Sequence, residues 1–157
     1  MALEIERKFL VKKELWKPGG EGVRIAQGYL CSDPERTVRV RLKGDRGYLT
    51  VKGKNEGISR REFEYEIPQE DAEAMLGLCG DSVIDKVRYI EPMGQHLWEV
   101  DVFQGENLGL LLAEIELKHE DEPFSKPQWL GEEVSGDPRY YNSNLSQSPY
   151  QSWPDCS

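Results

Sequence analysis

Residues 3–11 read LEIERKFLV. Glu4, Glu6 and Lys8 fall at alternate positions, and Leu3, Ile5, Phe9 and Val11 take most of the places between. Alternation at period two marks a strand with two unlike faces. One face here carries two acids and a base and no apolar residue. The fold depends on whether that face meets water or other charged faces.

The same pattern recurs along the chain. "VRIAQGYL" (23–30) is a less polar strand. "RTVRVRLK" (36–43) sets Thr37, Arg39, Arg41 and Lys43 against Val38, Val40 and Leu42. A turn over Gly44-Asp45-Arg46-Gly47 leads into a strand with Tyr48, Thr50 and Lys52 on one face. In "SRREFEYEIP" (59–68), Arg60, Glu62, Glu64 and Glu66 oppose Phe63, Tyr65 and Ile67, and Pro68 ends the strand. "SVIDKVRYI" pairs Lys86 with Arg88, "HLWEVDVF" pairs Glu99 with Asp101, and "GLLLAEIELKH" aligns Glu114, Glu116 and Lys118. "QEDAEAMLGLCG" (69–80) reads as a helix with acids in its first turn and a glycine stop. Asp137-Pro138 is an N-cap and N1 pair, which predicts a short helix over Arg139 to Leu145. The count is about eight strands and two helices, and the short connections favour antiparallel pairing.

Length and charge narrow the function. The 157 residues suit one domain with a core of its own. A formal net charge of -9 argues against a nucleic-acid partner held by phosphate attraction. No apolar run reaches the ~20 residues of a membrane helix. Cys31, Cys79 and Cys156 have no metal-type spacing and read as inert thiols of a cytoplasmic protein. His96 and His119 read as surface or structural residues, and Gly105–Gly109 as a turn between strands.

A polar strand face ordinarily just faces solvent. The signs work against that here, because they are segregated: Glu4/Glu6, Arg39/Arg41, Glu62/Glu64, Lys86/Arg88, Glu99/Asp101 and Glu114/Glu116. Neighbours two apart on a strand lie about 6.6 Å from each other. Like charges at that spacing cost about 0.6 kcal/mol in water and about 2.5 kcal/mol at an effective dielectric of 20. The second figure means that such faces, once enclosed, need a bound neutraliser. Carboxylate clusters suit Mg²⁺ or Mn²⁺, and Arg and Lys clusters suit phosphate. A barrel with its charges inward would bring both together around a metal-bound polyanion such as triphosphate. Its outer apolar faces would then need cover, part of it from a homodimer.

"EIERK" resembles the ExExK signature of the CYTH superfamily, the triphosphate tunnel metalloenzymes. "RVRLKGDRGYLTVKG", "SRREFEYEIP", "IDKVRY", "WEVDVFQGENLGLLLAEIEL" and "WLGEEVSGDPRYYNSNL" resemble the corresponding blocks of small bacterial members, in the same order. The resemblance implies a mainly β (α+β) fold. Its core is a closed eight-stranded antiparallel β-barrel tunnel with a hydrophilic lumen, flanked by a few helices. It spans residues 1–145, with a short C-terminal helix and a loose tail over 146–157. It implies a tripolyphosphatase that uses Mg²⁺ or Mn²⁺, two per site, to release terminal phosphate from inorganic triphosphate. The triphosphate-binding bases would be Lys8, Arg39, Arg41, Lys52, Lys86 and Arg88. The metal ligands would be Glu4, Glu6, Glu62, Glu64, Asp101, Glu114 and Glu116, and the residues closest to catalysis Lys8, Glu4, Glu6 and Glu116. A class IV adenylyl cyclase, with Tyr29, Tyr48 or Trp98 against a base, and a thiamine or nucleoside triphosphatase would use the same tunnel. A polyphosphate-binding module is the non-enzyme alternative.

Overall fold

A computed structural model describes residues 3–80 and 83–154. The strands are β1 (Leu3–Val11), β2 (Val23–Asp33), β3 (Arg36–Lys43), β4 (Arg46–Gly53), β5 (Ser59–Ile67), β6 (Ile84–Met93), β7 (His96–Phe103), β8 (Leu111–Glu116) and β9 (Leu130–Glu133). Two α-helices join them, α1 (Gln69–Leu78) and α2 (Asn142–Leu145). Among the described residues no helix is long and apolar enough to cross a membrane.

All pairings are antiparallel, in the order β5-β4-β3-β2-β6-β7-β8-β1, and β5 returns to β1 through Leu3↔Arg61, Glu4↔Arg60 and Ile5↔Ser59. Eight strands thus form a ring closed by a short seam, as expected. The rest of that β1 edge is taken by β9, through Phe9↔Glu133 and Val11↔Leu130. β9 has no counterpart in the period-two reading, because its four residues are too few and too polar to display a period. The β3–β4 hairpin turns on two residues, with Lys43 paired to Arg46. Gly44 there has φ +61°, which a side chain would resist. Gly47 lets α1 approach the sheet: a Cβ on it would lie 2.7 Å from the Cβ of buried Ala72.

The outward faces of β1, β7 and β8 carry a core of Phe9, Trp98, Val100, Ala113 and Ile115. The chain covers this face itself. Trp98 meets Phe9, Phe124 and Trp129 edge to face, with ring centres 5.6 to 5.7 Å apart. Tyr65 on β5 and Leu97 on β7 stay exposed. A second core of Ile84, Phe103, Leu110, Leu112, Val134, Tyr140 and Leu145 plugs one end of the ring.

The C-terminal region departs from expectation twice. The helix expected over Arg139 to Leu145 is a 3-10 turn (Pro138–Tyr140), a break at Tyr141 with ψ 135°, and then α2. Asp137 caps the 3-10 turn, accepting the Arg139 N–H at 3.1 Å. The tail expected to be loose is docked as far as Trp153. Tyr150 and Trp153 pack on the second core, and the Tyr150 N–H donates to Asn107 Oδ1 at 2.7 Å. Two aromatic rings and a few hydrogen bonds anchor a segment with no periodicity. Residues 155–157, with Cys156, lie outside the described residues.

Candidate active site

Strand parity carries the charged faces inward. They line a cavity of about 280 Å³. Its acids are Glu4, Glu6, Glu62, Glu64, Glu99, Glu114 and Glu116; its bases are Lys8, Arg39, Arg41, Lys43, Lys52, Arg60 and Arg88. Sheet order sorts them. β7, β8, β1 and β5 are consecutive in the ring and bring all of these acids; β4, β3, β2 and β6 complete the circle and bring five of the bases. Only Lys8 and Arg60 stand as bases within the acidic arc.

Ion pairs stitch the two seams where the arcs meet. At the β4–β5 seam, Lys52 Nζ lies 3.3 Å from Glu62, and Arg39, one strand further on β3, lies 3.8 Å from Glu64. Lys52 also reaches across to Glu4 at 3.1 Å. At the β6–β7 seam, Arg88 holds both oxygens of Asp101, at 2.7 and 2.9 Å, and Glu99 at 3.4 Å. Lys86 Nζ is 2.7 Å from Asp101 Oδ2.

The seams divide the expected metal ligands. Glu62 and Glu64 are counter-ions to bases across the seam. Asp101 does not reach the cavity: both its oxygens are taken by Arg88 and Lys86, and it is almost fully buried. Lys86, expected on the phosphate-binding wall, lies with it beneath the lining, wholly buried and 5.3 Å from the Phe103 ring centre. Period two put both residues on the correct face. It could not show that both lie below the cavity lining, with Lys86 paired to Phe103 at the end of the plug.

The middle of the acidic arc is different. Glu6 stands opposite Glu116 across β1–β8, and Glu114 stands opposite Lys8 on one side and Glu99 on the other. Burial, then the charges of Glu114 and Glu4, holds the Glu6 carboxyl well above its usual range. Burial, then Glu4, Glu62 and Glu99, raises Glu116. Burial alone would raise Glu114 too, but Lys8, Glu6, Arg88 and Lys86 outweigh it and hold Glu114 well below. Acids crowded in this way suit a divalent cation. Among the described residues no three already converge into an ion cage.

The basic arc is short of negative charge in the same way. Burial, then the charges of Arg39 and Arg88, brings Arg41 down to about 9. Its Nε donates to buried Gln27 Oε1 at 2.9 Å. Arg39 Nε is buried with no acceptor. A polyanion would supply one.

Several lining residues lie outside the expected site. Lys43, Arg60 and Glu99 share strand parity with expected residues and were visible in the alternation. Ser135, Tyr141, Asn142 and Ser143 come from the irregular C-terminal region, where no period points to them.

Comparison with known proteins agrees with this geometry. The CYTH domain family matches residues 2–141. An inorganic triphosphatase of Acetivibrio thermocellus is 51% identical over 154 residues, covering 98% of this chain and 99% of its own. An inorganic triphosphatase of Nitrosomonas europaea is 39% identical over 152 residues, covering 92% of this chain and 97% of its own. The crystal structure of an inorganic triphosphatase superposes with a TM-score of 0.66 at 35% identity, over 93% of this chain and 95% of the other. Matched along nearly its whole length, the chain belongs to the CYTH domain family.

Proposed function

We propose that this protein hydrolyses inorganic triphosphate with the help of a divalent cation, Mg²⁺ or Mn²⁺, and releases the terminal phosphate. Two curated relatives at 51% and 39% identity carry the name of that activity, and metal dependence is general in the family. The observation that carries the reading is the sorting of one cavity into an acidic and a basic arc. A linear polyanion and its cations need that arrangement, and a merely solvated sheet does not.

Phosphoryl transfer asks the protein mainly to position charges and neutralise them. Arg39, Arg41, Lys52 and Arg88 would hold the phosphate oxygens along the basic arc. Glu6, Glu114 and Glu116, with Glu4 beside them, would hold the cations. A bound cation would lower the pKa of a water and offset charge on the phosphate oxygens. Lys8, the base within the acidic arc, would contact the phosphate nearest the cation. Asp101 acts through Arg88, fixing its planar fork for a phosphate. The apolar plug closes one end of the ring and keeps bulk water from that side.

The test is product identification. The chain is incubated with triphosphate or ATP, with Mg²⁺ or with EDTA, and the products are read by ³¹P NMR. Phosphate plus pyrophosphate from triphosphate, only with Mg²⁺, supports the reading. Cyclic nucleotide plus pyrophosphate from ATP would make it a cyclase. Tight binding without any phosphate release would make it a binding module.

A further inference from the structure

We propose that Trp153 and the docked tail are a positioning device for Lys8. This rests on the reading of Lys8 as a base of the triphosphate site. Lys8 is bound to the C-terminal region at three points. Its N–H donates to Ser135 Oγ at 2.9 Å, its C=O accepts the Val134 N–H at 2.8 Å, and its ammonium donates to the Tyr140 carbonyl at 3.0 Å. The third bond sets the aim of the side chain. It satisfies one of three N–H donors and turns the others toward Glu114, 4.0 Å away, and the cavity.

The tail braces the segment that carries the Tyr140 carbonyl, beside the second core that buries the Tyr140 ring. The Tyr140 ring meets Trp153 edge to face at 5.3 Å, and Trp153 meets Tyr150 at 5.2 Å. The Arg139 guanidinium lies 5.4 Å from the ring centres of both Tyr140 and Trp153. Tyr150 is tied by its N–H to Asn107, a buried residue in the β7–β8 turn. The chain of contacts runs from that turn through Tyr150, Trp153 and Tyr140 to the Lys8 ammonium. Without Trp153, Tyr140 keeps its place in the second core and its 3-10 turn but loses the ring that braces it from the tail side. The flexible stem of Lys8 would then let the ammonium settle on Glu114 and lose its aim.

Two readouts test this. In the substrate-free chain, Lys8 should resist an amine-reactive acetylating reagent, as should buried Lys52 and Lys86, with modification mapped by mass spectrometry. Trp153→Ala should speed Lys8 labelling by about 10-fold, the mark of a local opening, and leave Lys52 and Lys86 unchanged. Trp153→Phe, which keeps a ring, should restore protection. In turnover of triphosphate, Trp153→Ala should lower kcat about 10-fold, less than the ~100-fold that a misplacement of about 1 Å can cost. KM should move less than about twofold, because the basic arc is untouched. In a Lys8→Ala background the same change should cost nothing more. Unchanged Lys8 labelling, equal acceleration of all three lysines, or an equal loss of kcat in both backgrounds would overturn the proposal. Should Trp153→Ala fail to fold, Asn107→Ala carries the same test through the Tyr150 anchor. Absence of phosphate release by the unaltered chain would sink the triphosphatase reading instead, and the labelling would still decide the positioning role.

Discussion

Arg88 and Asp101 stand directly opposite each other on β6 and β7, and the guanidinium engages both carboxylate oxygens, at 2.7 and 2.9 Å. Lys86 meets the same carboxylate from below, at 2.7 Å. Two buried cations therefore share one buried anion. Asp101→Ala should remove about 3–5 kcal/mol of stability, because it strips Lys86 of its ion pair and leaves Arg88 only its weaker contact with Glu99. Urea unfolding would show a lower midpoint at an unchanged m-value. The acid limb carries the sign. Burial opposes ionisation of Asp101, but Arg88 and Lys86 prevail and bring it down to about 2. Its contribution is present above the unfolded value of about 3.9 and is lost as pH falls toward the folded one. The variant should lack that loss.

Glu116 and Glu62 should fail in different ways. Glu116→Ala removes a carboxylate from the middle of the acidic arc, and turnover at fixed Mg²⁺ should fall by about 100-fold or more. Added Mg²⁺ should restore part of it. Glu62→Ala removes a counter-ion of Lys52 across the seam, so its main effect should fall on KM. Steady-state kinetics over a Mg²⁺ series separates the two. Identical profiles would contradict the division between seam carboxylates and cation-holding carboxylates.

Arg41 strains the ligand-free chain, its charge opposed first by burial and then by its basic neighbours. It is buried beside Arg39 and Arg88, which press its charge toward neutrality. Arg41→Met should leave the ligand-free chain as stable as before, or more so. Triphosphate in EDTA at about 100 times its Kd should stabilise the unaltered chain by about 2.7 kcal/mol, a rise of several degrees in Tm. That rise should shrink in the variant. Thermal melts with and without triphosphate check both parts.

Stabilisation by Mg²⁺ should grow with pH. Burial, then the charges of Glu114 and Glu4, raise the Glu6 carboxyl well above the usual carboxylate range, so a cation there competes with a proton. As pH rises through the elevated Glu6 value the competition fades, so the shift in Tm caused by Mg²⁺ should increase as pH climbs above the usual carboxylate range. Glu6→Gln should flatten the trend. A shift independent of pH in the unaltered chain would remove Glu6 from the cation site.

The ring and most of its lining were legible in the sequence because both depend on strand parity. Arg39 and Arg41, Glu62 and Glu64, and Glu114 and Glu116 each share a face by period two alone, and the structure carries each pair to one cavity. Parity could not reveal depth along the strand. Lys86 and Arg88 share a face, but only Arg88 reaches the cavity, because Lys86 lies one step closer to the Phe103 plug. Nor could it reveal the C-terminal region. β9 is too short to show a period, Tyr141 breaks the expected helix, and Trp153 anchors a tail whose composition suggests no order. The covering rings Trp16, Phe124 and Trp129 lie in irregular segments, where only tertiary contact gives them a role.

The most direct test of the central claim is a crystal structure with triphosphate and Mn²⁺, using anomalous scattering to find the metal. The account predicts triphosphate inside the ring along Arg39, Arg41, Lys52 and Arg88, with Mn²⁺ between it and Glu6, Glu114 and Glu116. Triphosphate bound on the outer surface, or Mn²⁺ away from those three carboxylates with the cavity holding only water, would contradict it.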